Sequence, residues 1–165
     1  MPKPLFNKVT ILGVGLIGAS LALSLKRKKL CNEIVGYGRT ENNLKKAKKK
    51  GIIDSFAKDP AKACEGSDLL VLAVPVGSFI ETVKKIRTAI KKGAIVTDVG
   101  SVKGDLIRKI ESLMPEGVDF VGGHPIAGSE KSGIDTARAD LFLGALCVLI
   151  PTKKTRRASL RKIKS

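Results

Sequence analysis

Short apolar runs recur along the chain, each bounded by glycine, proline or polar residues: Val9–Leu12, Ile34–Tyr37, Leu69–Val74, Ala94–Val99, Phe120–Val121 with its flanks, and Ala145–Ile150. Several are apolar throughout rather than alternating, which fits strands covered on both faces. Between them lie stretches with helical spacing, at Leu16–Leu25, Leu44–Lys50, Ser78–Ile90 and Val102–Leu113. In the third of these, Phe79, Ile80, Val83, Ile86 and Ile90 recur at intervals of three and four, and Leu106, Ile107, Ile110 and Leu113 do the same in the fourth. Each such helix has one apolar face to lay on a sheet. Strand and helix therefore alternate, and the expected fold class is α/β, a doubly wound and mainly parallel sheet.

Length adds that one core is enough. A chain of 165 residues buries roughly 70% of its unfolded surface, which supports a single domain better than two. We expect that domain to span residues 1–151. Beyond Pro151 the composition shifts: Lys153–Ser165 holds seven basic residues and no acid, with only Ala158, Leu160 and Ile163 to bury. This tail, residues 152–165, reads as a basic extension or the first turns of another helix, with little reason to fold alone. Aromatic residues make up 4% of the chain and tryptophan is absent, so the core must be aliphatic.

The net charge of +16 raises the question of a polyanionic partner. A second basic block runs from Lys45 to Lys50, but the aromatic residues are scattered singly and no nucleic-acid motif accompanies the charge. A solvated surface explains it, and no specific nucleic-acid partner is expected. Cys31, Cys64 and Cys147 show neither a disulfide framework nor metal-ligand spacing, and no metal site is expected. No apolar stretch approaches the ~18 residues of a membrane span, nor does the N-terminus resemble a signal peptide. The expectation is a cytoplasmic protein with no membrane partner.

Two segments carry chemistry. The first run leads into Gly13-Val14-Gly15-Leu16-Ile17-Gly18, the GxGxxG spacing of a dinucleotide fingerprint between a strand and a helix. There the first glycine makes the tight turn, the second lets backbone approach a pyrophosphate, and the third lets helix and strand pack closely. The fold expectation sharpens accordingly to a Rossmann-type NAD(P)-binding domain. An acidic residue commonly ends the second strand of such a domain to hold the ribose 2′-hydroxyl. Here that place reads Gly36-Tyr37-Gly38-Arg39-Thr40. Arg39 and Thr40 suit a 2′-phosphate, which favours NADP, although an arginine stacked on adenine suits NAD as well. The cofactor-binding candidates are Gly13, Gly15, Leu16, Ile17, Gly18, Arg39, Thr40, Val74, Pro75 and Ser101.

The second segment holds the only histidine, in Gly122-Gly123-His124-Pro125-Ile126-Ala127-Gly128-Ser129-Glu130-Lys131-Ser132-Gly133. His124 and Ser101 both follow apolar runs, at the strand ends where open α/β sheets bind ligands. A lone histidine is commonly structural, yet its place beside a glycine-rich loop favours function. A neutral His124 is suited to accept a proton from a substrate hydroxyl, with Ser101 orienting imidazole or substrate. These two are the catalytic candidates.

The fingerprint, together with Asp98-Val99-Gly100-Ser101-Val102-Lys103 and Gly123-His124-Pro125-Ile126-Ala127-Gly128-Ser129-Glu130-Lys131-Ser132-Gly133, closely resembles the prephenate and arogenate dehydrogenase family from about Lys8 to Thr155. The resemblance implies oxidative decarboxylation of prephenate to 4-hydroxyphenylpyruvate, or of arogenate to tyrosine, in tyrosine biosynthesis. It implies that His124 deprotonates the ring hydroxyl with help from Ser101, and that Ser129, Glu130 and Lys131 contribute to substrate binding. It further implies a helical domain after the nucleotide-binding one, through which such proteins form homodimers and complete the substrate site. The tail would be the start of that domain. A different reading is a non-catalytic dinucleotide-binding module or remnant that lacks the substrate part.

Overall fold

The computed structural model describes residues 3–101, 104–128 and 132–165. Its centre is a seven-stranded sheet in the order β3-β2-β1-β4-β5-β6-β7. The strands are β1 (Phe6–Leu12), β2 (Cys31–Tyr37), β3 (Ser55–Phe56), β4 (Leu69–Leu72), β5 (Ile95–Asp98), β6 (Asp119–Pro125) and β7 (Cys147–Ile150). All pairings are parallel except β6 with β7. The helices are α1 (Leu16–Arg27), α2 (Glu41–Lys49), α3 (Pro60–Cys64), α4 (Phe79–Ile86), α5 (Asp105–Leu113) and α6 (Arg157–Lys164).

Side-chain alternation divides the core in two. Val9, Ile11, Leu69, Val71, Ile95 and Val121 face one side, where Ala19, Ala22 and Leu25 of α1 and Leu44 and Ala47 of α2 meet them. Leu12, Leu70, Leu72, Val96 and Phe120 face the other, against Phe79, Val83 and Ile86 of α4 and Ile107 and Ile110 of α5. Helices on both faces leave every residue of β4 and β5 buried. That double burial is why β4 reads as an unbroken apolar run, whereas β5 ends in the buried polar pair Thr97 and Asp98. Leu70 is fully buried, so Leu70→Ala should cost about 2–5 kcal/mol of stability, measured by urea unfolding.

Two elements lie outside the apolar pattern. β3 is two residues long and only half-buried. α3 has five residues, with Asp59 capping its N-terminus by accepting from the Ala61 N–H and Pro60 in its first turn. That aspartate-proline pair is a helix-start signal independent of hydrophobic periodicity. The tail is also ordered. α6 lays Leu160 and Ile163 against the α1 side of the core. Arg156 Nε lies 2.7 Å from Asp119 Oδ2, Arg156 Nη2 donates to the Gly117 carbonyl at 3.0 Å, and Thr152 bonds to Glu111. These polar ties offset the shortage of apolar residues that argued against folding.

Candidate functional site

The strand order reverses between β1 and β4, since β2 and β3 continue to one side and β5 and β6 to the other. Such a switch point opens a crevice at the carboxyl ends of the strands. The turn after β1 borders it. The Gly13 N–H donates to the Tyr37 carbonyl at 2.8 Å, and the Ala73 N–H to the Leu12 carbonyl at 2.7 Å, which holds the β1 end between β2 and the β4 exit.

Each glycine of the fingerprint has a different steric reason. Gly13 has φ of +110°, and a β-carbon on it would lie 2.5 Å from the Ala73 backbone. A β-carbon on Gly18 would lie 2.2 Å from the Gly13 carbonyl oxygen and 2.8 Å from Ile11 Cγ2, so only glycine lets α1 sit this close to β1. At Gly15 nothing among the described residues lies within 4 Å of the corresponding position. Its backbone is extended, α1 begins at the next residue, and no side chain caps the helix. An open glycine before uncapped helix N–H groups is a cradle for an anion, and the residues present fit a dinucleotide pyrophosphate. Asn43 on α2 donates through Nδ2 to the Val14 carbonyl at 2.9 Å and braces this turn from outside.

The remaining candidates line up along the same edge. Arg39 and Thr40 are exposed between β2 and α2, with Thr40 in the N-cap position of α2 and its side chain making no cap bond. Val74 is half-buried and Pro75 exposed just beyond β4. Leu16 is buried and Ile17 half-buried, so Leu16 can meet a ligand only through its backbone. Ser101 is exposed beyond β5. Ser129, Glu130 and Lys131 lie outside the described residues.

His124 stands within a strand rather than in the loop after one. Antiparallel pairing with β7 carries β6 on to Pro125 and sets His124 opposite Val148. The ring is half-buried, and its Nδ1 is buried with no hydrogen-bond partner among the described residues. An unpaired buried polar atom costs about 1–3 kcal/mol, and such atoms in native proteins concentrate where a ligand or a reaction uses them.

One residue that the motifs include without a role joins the two catalytic candidates. Asp98, at the end of β5, is 3% exposed. Its Oδ2 accepts from the Gly100 N–H at 2.9 Å and its Oδ1 from the Gly123 N–H at 3.0 Å. Gly100 precedes Ser101 and Gly123 precedes His124.

After the glycine-rich segment, Asp135 is tied to α2 by Lys46 at 2.5 Å and Lys50 at 2.6 Å. Those two lysine hydrogen bonds hold its carboxyl down at about 2, against an ordinary 3.8. Because the folded value is the lower one, the contribution to stability is complete above about 3.8 and disappears as pH falls toward 2. The pairs are exposed and salt weakens them. Acid unfolding of Asp135→Asn should therefore converge with wild type only below pH 2 and differ from it above pH 4 at low ionic strength. By contrast, burial pushes the thiols of Cys31 and Cys64 up to about 11 and 12, which leaves them poor nucleophiles.

A switch-point crevice, a glycine turn shaped for pyrophosphate and a helix N-terminus open toward it define a Rossmann-type dinucleotide-binding domain. The family model for the prephenate dehydrogenase nucleotide-binding domain matches residues 21–165, and the chain belongs to that family. The fingerprint glycines precede the matched interval, so their geometry is separate support.

Prephenate dehydrogenase of Lactococcus lactis is 40% identical over 158 residues, covering 94% of this chain and 44% of that protein. The crystal structure of prephenate dehydrogenase from Aquifex aeolicus with hydroxyphenyl propionate and NAD+ superposes with a TM-score of 0.90 at 40% identity, over 96% of this chain and 55% of that one. Synechocystis arogenate dehydrogenase gives 0.87 at 33% identity, over 95% of this chain and 54% of that one. The chain thus spans about half the length of the relatives it matches.

Proposed function

We propose that this chain is the dinucleotide-binding part of an NAD(P)-dependent enzyme that oxidatively decarboxylates prephenate or arogenate on the route to tyrosine. The observation that supports the reading is that His124 lies near the carboxyl end of β6, on the same edge of the sheet as the fingerprint turn, with a buried ring nitrogen that has no hydrogen-bond partner among the described residues. The bound dinucleotide supplies a hydride acceptor. Gly13, Gly15 and Gly18 shape its cradle, while Leu16 and Ile17 present the first N–H groups of α1. Val74 and Pro75 form the rim on the β4 side.

His124 takes the proton of the substrate's ring hydroxyl, and Ser101 holds the hydroxyl or the imidazole in line. Hydride loss from the same carbon and departure of the carboxylate as carbon dioxide leave an aromatic ring, and the electron pair released by decarboxylation returns to the ring oxygen, which takes its proton back from His124; the hydride and the carbon dioxide are the net losses. Ser129, Glu130 and Lys131 belong to the substrate side of this proposal on the family resemblance. The excess of positive charge favours a substrate carrying two carboxylates.

NADP is the proposed cofactor, with Arg39 and Thr40 on its 2′-phosphate; NAD is the alternative, and the Aquifex aeolicus relative was crystallised with NAD+. Titrating the chain with NADPH and with NADH, in wild type and Arg39→Ala, tests both levels. We expect the variant to lose about tenfold, or ~1.4 kcal/mol, in NADPH affinity while NADH affinity holds. Equal losses would assign Arg39 to adenine stacking and favour NAD. If neither nucleotide binds wild type, the reading fails.

We also place in the proposal a cytoplasmic location and, where the helical domain is present, a homodimer. Exposed Ile126, Leu143, Leu146 and Val148 offer apolar surface for association. Cys31 and Cys64 are free thiols, as a reducing compartment keeps them. No described helix is long and apolar enough to cross a membrane.

A further inference from the structure

The backbone ladder between β5 and β6 ends at Thr97 opposite Val121. Beyond that pair the two strands carry Ser101 and His124 into the site without regular pairing to each other. What spans the gap is the Asp98 carboxylate, one oxygen on the Gly100 N–H and the other on the Gly123 N–H. The neighbours are shaped to receive it. A β-carbon on Gly100 would lie 3.0 Å from Asp98 Oδ2, and one on Gly123 would lie 2.7 Å from the Asp98 carbonyl oxygen. On the β6 side, Thr97 Oγ1 donates to the Val121 carbonyl at 2.7 Å, which fixes the last regular rung below the bridge.

Desolvating a carboxylate to this extent is costly unless hydrogen bonds compensate. The charge-assisted bonds to two backbone N–H groups do so, and they are stronger and more directional than neutral ones. The bridge also acts at one remove from the chemistry, since each bonded N–H belongs to the residue immediately before a catalytic candidate. We infer that Asp98 is a positioning residue, whose buried carboxylate sets the separation and orientation of Ser101 and His124 through the backbone of Gly100 and Gly123. Its catalytic meaning rests on the proposed function; the positioning itself does not.

The chain provides two internal reporters, because it contains one histidine and one tyrosine. His124 reports the bridged strands. Tyr37, whose carbonyl receives the Gly13 N–H, reports the fingerprint turn on the other side of the crevice. Asp98→Asn keeps the size of the side chain but has a single oxygen acceptor, so one of the two N–H groups loses its partner whichever way the amide turns. In proton NMR of wild type and Asp98→Asn, the His124 ring resonances should shift and broaden or split, while the Tyr37 ring resonances stay unchanged.

An unaltered His124 signal overturns the inference. So does a Tyr37 signal that moves along with it, because a general loosening of the fold would disturb both. If Asp98→Asn does not fold, Gly123→Ala is read in the same way, since there the carboxylate remains and the new methyl forces the spacing from the His124 side. The dinucleotide titration keeps this result apart from the functional reading. Wild-type protein that binds neither NADH nor NADPH removes the proposed function, yet the His124 shift in Asp98→Asn still establishes the bridge.

Discussion

Gly15→Ala should weaken NADH and NADPH binding about a hundredfold, or ~2.7 kcal/mol, while the chain stays folded. No atom of the described residues lies within 4 Å of the added methyl, and the extended backbone at Gly15 is one that alanine adopts freely. Alanine is a poorer N-cap than glycine, but it also lowers the entropy of the unfolded chain, so the net change in stability stays within about 1 kcal/mol. The methyl intrudes only where the ligand's pyrophosphate must approach the backbone.

Gly18→Ala has the opposite signature. Its methyl meets the Gly13 carbonyl oxygen at 2.2 Å and cannot be relieved by a side-chain rotation, so stability should fall by about 1–3 kcal/mol. Thermal melting and a fluorescence titration on the two variants separate the effects. Equal loss of stability in both would show that the turn is a packing feature rather than a ligand cradle.

His124→Asn should abolish most of the turnover and leave nucleotide affinity intact. The assay is prephenate-dependent formation of NADPH or NADH in a chimera that joins this chain to the C-terminal half of the Aquifex aeolicus enzyme, to which it is 40% identical. Removing a general base costs about 10²–10⁴-fold in rate. Asparagine occupies similar space and can still hydrogen-bond, but it cannot take the proton. With one imidazole in the chain, no other histidine of this domain can substitute. A variant that retains more than a tenth of the wild-type rate would exclude His124 as the base.

The sequence and the structure agree best where burial on both sides imposes a pattern. Leu69–Leu72 and Ile95–Asp98 sit at the centre of the sheet with all their residues buried, and their apolar runs were legible without coordinates. β3 and α3 were not, since an element of two or five residues is too short to show a period. The tail helix was judged by its few apolar residues, whereas its footing comes from Arg156 on Asp119 and Thr152 on Glu111, partners 37 and 41 positions away.

Within the site, the residues legible in the sequence were those whose type and spacing express a mechanism. The three glycines and His124 fall in that group. Asp98 and Asn43 do not. Their contribution lies in bonds to backbone groups 25 and 29 positions distant, and nothing about an aspartate ending a strand or an asparagine opening a helix reveals which distant amide or carbonyl it will reach.

The three fingerprint glycines answer to different masters, and that difference has an evolutionary reading. Gly13 and Gly18 are demanded by the packing of β1, α1 and the β4 exit, whereas no described residue crowds Gly15, and on the proposed function only the dinucleotide demands a glycine there. In a lineage that abandons its cofactor but keeps the fold, purifying selection should release the middle glycine and retain the outer two. The pattern Gly-x-Xaa-x-x-Gly, with a larger residue at the centre, would then date the loss of binding as a fossil date does, legible in the gene before any ligand is tried.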